Sequence, residues 1–294
     1  MYSLRNQLKG TGVALITPFT SNGDIDFEAL SKVINFVIEG GVEYLVTLGT
    51  TGETPTLDKY EKTDIIKYTC EKVNNRVPVV VGIGGNNTKE LLNDLETFPL
   101  EGAVAVLSAS PYYSKPSQEG IFQHYKALAA ASPKPILLYN VPGRTGRNVE
   151  ASTTIRLANE VENIAGIKEA GNNMVQCMQI LRDRPEHFLV VSGDDDLVMP
   201  QLACGIDGVI SVAANCFPKQ FSNMVRAGLQ FNFGKAKELN DPLLEAYSLL
   251  FAENNPAGVK AFMAVLGLIE NNLRLPVVPL SEAVYENVKK YLTK

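Results

Sequence analysis

The feature that most constrains the fold is a repeated alternation of short runs rich in valine and isoleucine with longer amphipathic segments. This alternation is typical of βα units that build a parallel sheet. Successive runs start roughly 20 to 35 residues apart, about the length that one strand, one helix and two short loops need. The sequence contains eight such runs, namely Gly12–Thr17, Glu43–Leu48, Val77–Gly82, Ala103–Ser108, Ile136–Asn140, Ile164–Glu169, Phe188–Ser192 and Gly208–Val212.

The segment between the first two runs shows how the helices are encoded. Asp26 precedes it, where a helix N-cap is expected, and Gly40 and Gly41 follow it, where helices commonly end. Its apolar residues recur at the spacing of one helical face. These residues are Leu30, Val33, Ile34, Val37 and Ile38. The segment therefore predicts an amphipathic helix that packs on the sheet.

Eight units predict a closed (β/α)₈ TIM barrel, with a doubly wound open sheet as the second choice. After Val212 the sequence shows only helical patterns, which are interrupted at three prolines, Pro242, Pro256 and Pro276. We therefore predict a catalytic barrel over residues 1–225 and a C-terminal helical region over residues 226–294. This region is expected to pack on the barrel and to offer a surface for an oligomer contact.

Charge and composition exclude several classes of function. The chain has 27 Lys and Arg against 32 Asp and Glu, with no basic run, so we expect no nucleic-acid partner. No stretch approaches the roughly 18 to 20 apolar residues that a membrane helix needs, and Met1–Gly10 lacks the apolar core of a signal peptide. Scattered cysteines without a C-x-x-C pair favour free thiols in a reducing compartment. The predicted location is the cytoplasm.

The sequence predicts neither a metal nor a cofactor. The two histidines, His124 and His187, are too few and too distant in sequence to indicate catalytic zinc. Surface or packing roles are expected for both. There is no P-loop and no nucleophile elbow, and the segment 82–87, GIGGNN, has asparagine where a dinucleotide-binding loop needs its third glycine.

One lysine is the most informative residue at the predicted mouth of the barrel. Catalytic residues of (β/α)₈ barrels lie at the carboxyl ends of strands, and Lys168 stands near the end of an otherwise apolar run. Burial of an ammonium group there is costly, which favours a neutral amine. Such an amine attacks carbonyl carbons and forms a Schiff base. The structural alternative, pairing with Glu169 or extension to solvent, is equally compatible with this residue alone.

Neighbouring features at other strand ends jointly favour the Schiff-base interpretation. Tyr139 and Tyr113, together with Thr50, could relay protons without a metal. The loop Gly49–Glu53 lies between a predicted strand and a predicted helix, and backbone N–H groups at a helix N-terminus suit a carboxylate. Arg144 could hold a second carboxylate bidentately. Taken singly, the same features are compatible with aromatic packing, a capped turn and a surface ion pair.

Motifs at these positions resemble the 4-hydroxy-tetrahydrodipicolinate synthase family, also called the dihydrodipicolinate synthase family. They occur in order and at the expected spacing over essentially the whole chain. The motifs are Gly49-Thr50-Thr51-Gly52-Glu53, Pro111-Tyr112-Tyr113, Tyr139-Asn140-Val141-Pro142-Gly143-Arg144-Thr145-Gly146, Gly166-Ile167-Lys168-Glu169-Ala170, Ser192-Gly193-Asp194-Asp195 and Gly208-Val209-Ile210-Ser211-Val212. The resemblance implies a (β/α)₈ barrel with a C-terminal helical region, usually assembled as a homotetramer that is a dimer of dimers.

The resemblance also implies roles for individual residues. Lys168 matches the lysine that forms a Schiff base with pyruvate, and Tyr139 matches the proton-transfer tyrosine. Thr50 links Tyr139 to Tyr113, which in the family reaches in from the neighbouring subunit. Arg144 matches the residue that receives the carboxylate of L-aspartate 4-semialdehyde at the entrance. The further substrate-binding positions are Thr51, which joins Thr50 in holding the pyruvate carboxylate, and the backbone of Gly193 and Ile210.

The implied reaction is condensation of pyruvate with L-aspartate 4-semialdehyde to 4-hydroxy-tetrahydrodipicolinate, in diaminopimelate and lysine biosynthesis. N-acetylneuraminate lyases and 2-keto-3-deoxy sugar-acid aldolases of the same superfamily share the lysine and the tyrosine. The run Arg144-Thr145-Gly146 favours the synthase, because a sugar site needs hydroxyl-binding groups there. A non-catalytic keto-acid sensor is the third hypothesis, and it is disfavoured because the lysine and the relay hydroxyls are all present.

Many members of the family are inhibited by lysine at the dimer interface. Asn86, Glu90 and Tyr112 match polar residues of that allosteric site. Some lysine-sensitive members have histidines where this sequence has Lys59 and Lys62. Cationic side chains there repel a cationic effector by about one to a few kcal/mol at close range. We therefore expect weak or absent inhibition by lysine.

Overall fold

The computed structural model describes residues 4–294 and contains one closed parallel barrel of eight strands in sequence order. The predicted TIM barrel is thereby confirmed. Met1 to Ser3, the start of the segment considered for a signal peptide, lie outside the described residues. The strands are β1 (Gly10–Ala14), β2 (Tyr44–Thr47), β3 (Val79–Gly82), β4 (Ala105–Ala109), β5 (Ile136–Asn140), β6 (Ile164–Glu169), β7 (Leu189–Ser192) and β8 (Gly208–Ser211).

Helices follow the strands and continue beyond the last one. The α-helices of the described residues are α1 (Leu4–Gln7), α2 (Phe27–Glu39), α3 (Lys59–Val73), α4 (Thr88–Thr97), α5 (Gln118–Ala131), α6 (Pro142–Thr145), α7 (Ala151–Glu160), α8 (Met174–Asp183), α9 (Val198–Ala203), α10 (Pro218–Leu229), α11 (Phe233–Asn240), α12 (Leu244–Phe251), α13 (Ala257–Val265) and α14 (Glu282–Leu292). Short 3₁₀ helices span Thr50–Gly52, Thr54–Thr56, Ala213–Asn215 and Asp241–Leu243.

The strand bounds agree with the predicted runs to within two residues, except at the end of β1. That strand begins two residues earlier and ends three residues earlier than predicted. Its first residue, Gly10, pairs with Gly208 at the seam that closes the barrel, and a glycine gives no apolar signal in the sequence. The Leu15 amide still donates to the Val46 carbonyl of β2 at 2.9 Å, but the next amide, that of Ile16, donates to the side chain of Asn215 instead.

Helix α2 forms as its sequence predicts. The Asp26 carboxylate accepts a hydrogen bond from the Ala29 amide at 2.9 Å, and the helix ends before Gly40. The predicted stripe is buried, apart from half-buried Ile38. Burial of each such aliphatic side chain contributes about 1.5 to 3 kcal/mol, so the stripe fixes the helix against the barrel.

Apolar side chains fill both the barrel and the layer between strands and helices. The interior includes Tyr44, Val46, Val80, Leu137 and Leu189, all fully buried. A barrel filled in this way has no channel, so a substrate cleft can form only at one end.

The chain after β8 is helical, as predicted. Helix α10 packs on β1 and α2, and α12, α13 and α14 pack on one another. The predicted division between residues 225 and 226 lies within α10 and stays a prediction. Between residues 4 and 294, no helix is both long and apolar enough to cross a membrane.

Candidate active site

A cleft at the carboxyl ends of the strands gathers most of the predicted site. Its walls include apolar side chains of the barrel interior, such as Ala14, Val46 and Leu107. The predicted residues that line it are Thr50, Thr51, Tyr139, Arg144, Lys168, Gly193 and Ile210. Residues more than 150 positions apart in sequence therefore meet at one place, which is the end of the barrel where catalytic residues of this fold lie.

Strand β6 carries Lys168 into this cleft. The residue is 5% exposed, and its Nζ lies 4.3 Å from the centroid of the Tyr139 ring. The two residues are paired in the ladder between β5 and β6. The amine thus lies against an aromatic face in a cleft that combines apolar walls with hydroxyl groups, a place where it can attack a carbonyl carbon.

Glu169 does not form an ion pair with Lys168. The alternative interpretation of the lysine, as the structural partner of Glu169, is therefore not supported. Adjacent strand residues point to opposite faces, and Glu169 faces away from the barrel interior. Its carboxylate accepts hydrogen bonds from Asn140 at 2.9 and 3.0 Å and from Gln176 at 3.1 Å. Burial raises the pKa of Glu169 to about 7, and these amide donors oppose the rise.

The same amide network holds the chain that follows Arg144. Asn140 Oδ1 accepts a hydrogen bond from the Val149 amide at 2.9 Å, and Gln176 donates to the Val149 carbonyl at 3.2 Å. Sequence reasoning assigned no role to Gln176. An isolated glutamine in a helix carries no signal, because its partner is a carboxylate on another element.

Gly193 provides space for the lysine side chain. A Cβ at this position would lie 2.9 Å from Lys168 Cε and 2.5 Å from the Cβ of Ala170. Any other residue here would displace the lysine or the neighbouring strand end. The predicted contact of the Gly193 backbone with substrate stays a prediction.

The loop after β2 lies between a strand and a helix, as predicted, but the helix that begins at Thr50 is a short 3₁₀ helix. Instead of opening an α-helix it forms two 3₁₀ helices, and α3 begins only at Lys59. Glu53 lies between them in the left-handed region, at φ 53°, which interrupts regular helix. The loop is held by Thr17 Oγ1, which donates to the Gly52 carbonyl at 2.8 Å. Thr51 is buried, and its Oγ1 accepts a hydrogen bond from Asn255 Nδ2 at 2.9 Å.

Arg144 is exposed at the rim of the cleft. Its Nη2 donates to Asn254 Oδ1 at 3.0 Å. The C-terminal region therefore contacts both predicted carboxylate-binding positions, through Asn254 at Arg144 and through Asn255 at Thr51. Sequence reasoning missed these two asparagines, because Asn-Asn-Pro before a helix has the composition of an ordinary turn.

Tyr113 does not line the cleft of its own chain. It is 89% exposed, and its backbone lies in the left-handed region at φ 67°. Thr50 and Tyr139 both line the cleft. A single chain therefore brings together two of the three predicted relay hydroxyls.

Two carboxyl groups beside the lysine extend the site. Asp194 lines the cleft, and burial raises its pKa to about 6, while nearby Lys168 favours the charged form. Asp195 accepts hydrogen bonds from the amides of Val212 at 3.1 Å and Ala213 at 2.8 Å. Asp195 thus ties the end of β7 to the end of β8. In the sequence, the run of acidic residues directly after a predicted strand was the feature that could have indicated these two carboxyl groups.

The residues of the predicted allosteric site lie on the surface. Asn86 Nδ2 donates weakly to the Tyr112 carbonyl at 3.5 Å. Lys59 Nζ lies 4.0 Å from the carboxylate of Asp94, and Lys62 also acts electrostatically on Asp94. Burial raises the pKa of Asp94, and Glu90 adds to the rise. Asp94 was not predicted, and its charge partly offsets the two lysines.

The histidines lie apart in the fold. His124 is buried in α5, its Nδ1 is 2.8 Å from Thr88 Oγ1, and burial lowers its pKa to about 4. It is therefore neutral and packed. His187 is exposed ahead of β7. In the described part of the chain, no group of three or more His, Cys, Asp and Glu residues is placed to hold a metal ion.

A filled parallel barrel with a buried lysine in the cleft at its carboxyl end defines a (β/α)₈-barrel enzyme. A profile of the dihydrodipicolinate synthetase family matches residues 7–294. This protein belongs to that family.

Relatives and solved structures agree with this assignment over nearly the full chain. The 4-hydroxy-tetrahydrodipicolinate synthase of Parabacteroides distasonis is 48% identical over 285 residues, which cover 97% of this chain and 96% of the relative. That of Phocaeicola vulgatus is 47% identical, with 99% and 98% covered. The crystal structure of dihydrodipicolinate synthase from Thermotoga maritima superposes with a TM-score of 0.95 at 40% identity, with 98% of each chain covered.

Proposed function

We propose that this protein condenses pyruvate with L-aspartate 4-semialdehyde to 4-hydroxy-tetrahydrodipicolinate, through a Schiff base on Lys168, in diaminopimelate and lysine biosynthesis. The observation that carries the proposal is the position of Lys168. It is buried at the end of β6, in a cleft that also holds Thr50, Thr51 and Arg144. The name shared by the relatives supports the same reaction.

The chemistry begins with attack of the Lys168 amine on the keto carbon of pyruvate. Water leaves, and the protonated imine then draws electrons from the adjacent methyl carbon. Loss of a proton from that carbon gives an enamine, which attacks the aldehyde carbon of the second substrate. The amino group of that substrate next attacks the imine carbon, releases the lysine amine and closes the ring.

Residues around the lysine bind the substrate and move the protons. Thr50 and Thr51 hold the pyruvate carboxylate beside the amine. Tyr139, whose ring lies against the Lys168 Nζ, carries protons to and from the reacting carbons and oxygens. Arg144 receives the carboxylate of the semialdehyde at the rim, where a guanidinium group can bind it bidentately.

A comparison of acceptors tests the reaction. Purified protein with pyruvate is supplied in parallel with L-aspartate 4-semialdehyde, N-acetylmannosamine or glyceraldehyde, and pyruvate consumption is measured. Rapid consumption with L-aspartate 4-semialdehyde alone is expected. A preference for a sugar aldehyde would retain the lysine chemistry but overturn the role of Arg144.

Removal of the Arg144 guanidinium is expected to weaken use of the second substrate. In Arg144→Ala, we expect kcat/KM for L-aspartate 4-semialdehyde to fall about 10- to 150-fold, because a hydrogen bond to a charged group contributes about 1.5 to 3 kcal/mol. The pyruvate concentration that half-saturates Schiff-base formation should stay unchanged. Arg147→Ala is the matched control, because Arg147 is also exposed and its guanidinium donates to the Lys115 carbonyl at 3.1 Å, outside the lining of the cleft. Equal losses in both variants would contradict the assignment.

We propose that the protein acts in the cytoplasm as a homotetramer built from dimers. In this assembly Tyr113 of one subunit completes the relay with Thr50 and Tyr139 of its neighbour. The exposure of Tyr113, at 89%, and of Tyr112, at 43%, supports this arrangement. Sedimentation velocity measures the assembly state, and a fully active monomer would overturn the proposal.

We propose further that the Lys59 and Lys62 charges weaken inhibition by lysine. The expected result is no sub-millimolar inhibition at pH 8 in a titration of the reaction rate. The double variant Lys59→Ala, Lys62→Ala should be more sensitive, since Asp94 and Glu90 then attract the effector without opposition. Its control is Lys67→Ala, Lys72→Ala, two exposed lysines of the same helix. Sub-millimolar inhibition of the unmodified protein would refute the proposal.

A further inference from the structure

A second buried lysine lies beneath the loop that carries Thr50 and Thr51. Helix α13 places Lys260 there at 0% exposure. Its Nζ pairs with the carboxylate of Glu53, whose side chain is 1% exposed. It also donates to the Asn272 carbonyl at 2.9 Å and lies 4.1 Å from the centroid of the Phe19 ring. Burial lowers the pKa of Lys260 to about 8, and the Glu53 charge opposes this change.

Glu53 connects this pair to the candidate site. It follows Thr51 by two residues, and its left-handed backbone joins the two 3₁₀ helices of the loop. Its Oε2 also accepts a hydrogen bond from the Arg274 amide at 3.0 Å. The Arg274 guanidinium donates to the Thr56 carbonyl at 3.1 Å and to both carboxylate oxygens of Glu61. The C-terminal region thus forms hydrogen bonds with the loop before Glu53, through Asn255 at Thr51, and after it, through Arg274 at Thr56.

One helix joins two points of this turn. Asn255, just ahead of α13, donates to Thr51 Oγ1, and Lys260, within α13, pairs with Glu53. The start of α13 and the residue just ahead of it therefore add a second set of contacts, besides the connection to β2, that fixes the Thr51 hydroxyl relative to the barrel.

The energetics of a buried ion pair favour a positioning role over a stabilising one. Removing two charges from water costs several kcal/mol per ion, so such pairs are often no more stable than apolar residues of similar volume. Loss of one partner alone leaves an uncompensated buried charge and shifts the surrounding chain. A displacement of about 1 Å at a substrate-positioning group can cost about 10²-fold in rate.

We propose that Glu53 and Lys260 form a positioning pair that holds the Thr50–Thr51 loop in the conformation that binds the pyruvate carboxylate. Neither residue touches the substrate; both act through the loop. The inference rests on the proposed function, since it takes pyruvate as the ligand of that loop.

The test measures Schiff-base formation as a function of pyruvate concentration, by borohydride reduction and mass spectrometry. In Glu53→Gln the half-saturating concentration is expected to rise at least about tenfold, in keeping with a displaced binding group. The maximal trapped fraction should stay near that of the unmodified protein, because Lys168 is intact. This split separates a displaced binding loop from general loss of folded protein. An unchanged half-saturating concentration would overturn the inference.

Two further variants distinguish a displaced loop from a general loss of stability. Asp207→Asn breaks a buried pair with Arg184 at the opposite end of the barrel, before β8 begins. It should lower stability without changing the half-saturating concentration. The double variant Glu53→Gln, Lys260→Met removes both charges and so avoids an unpaired buried cation. It nevertheless lacks the ion pair that connects α13 to the loop. It should bind pyruvate as weakly as Glu53→Gln, and wild-type binding in it would contradict the pair's role.

The two proposals fail in different ways. If the unmodified protein forms no trapped adduct with pyruvate, the proposed function is wrong. If it forms the adduct and Glu53→Gln forms it with the same pyruvate dependence, only the positioning role is wrong.

Discussion

The Lys168→Ala protein is expected to lose at least about 10⁴-fold in kcat, since removal of a covalent nucleophile commonly costs that much or more. Lys168 is the one amine among the residues that line the cleft. The other basic side chain there is the guanidinium of Arg144, which does not form a Schiff base. The barrel should remain folded, because alanine is smaller than lysine and this side chain faces the cleft, so the substitution introduces no clash. The loss therefore reports on chemistry rather than on stability.

Two measurements check this expectation. The rate of pyruvate consumption with L-aspartate 4-semialdehyde gives the loss in turnover, and borohydride reduction with pyruvate identifies the modified peptide. In the unmodified protein the mass adduct should be on the peptide that contains Lys168. Lys126→Ala, an exposed lysine of α5, should keep full activity and the adduct. An adduct on another lysine, or turnover within tenfold of normal in Lys168→Ala, would refute the mechanism.

Much of the barrel could be predicted because each strand and helix is indicated by the pattern of apolar residues within its own short segment. Each strand is a short apolar run, and a helix such as α2 shows a buried stripe of its own. Lys168 was detectable for the same reason, since a charge inside an apolar run is conspicuous without any knowledge of its partners. The start of β1 was placed two residues late for the same reason, because Gly10 at the seam contributes pairing without an apolar side chain.

The contacts of the C-terminal region could not be predicted from local pattern. Asn255 and Thr51 lie 204 residues apart in sequence, and neither the amide nor the hydroxyl belongs to a periodic pattern. Lys260 was equally hidden, because a lysine within a helix is usually exposed and its burial depends on Glu53 in a distant loop. That loop lies between a strand and a helix, as predicted, but its division into two 3₁₀ helices could not be predicted, since a left-handed glutamate has no sequence signature.

A substitution at the seam of the barrel, where β1 pairs with β8, is expected to have a large effect on the free energy of unfolding. Gly208 opens β8 at φ +154°, and a Cβ there would lie 1.9 Å from the Gly10 carbonyl oxygen and 2.7 Å from the Gly10 amide nitrogen. Both atoms belong to the backbone of β1, so no side chain can move aside. Gly208→Ala is therefore expected to destabilise the native state by more than about 4 kcal/mol, in the exceptional range for one substitution.

A loss of this size is a large fraction of the roughly 5 to 15 kcal/mol that stabilises a typical domain. The variant should accumulate mainly as insoluble protein, and any soluble fraction should unfold at a much lower denaturant concentration. Gly234→Ala is the matched control, because Gly234 lies exposed in α11 and its nearest neighbour to an added Cβ is 4.0 Å away. Alanine is favoured over glycine in a helix by about 0.5 to 1 kcal/mol, so this variant should be slightly more stable. Similar unfolding midpoints for Gly208→Ala and the unmodified protein would show that β1 and β8 can separate locally without loss of the barrel, and the seam would then not be essential to its closure.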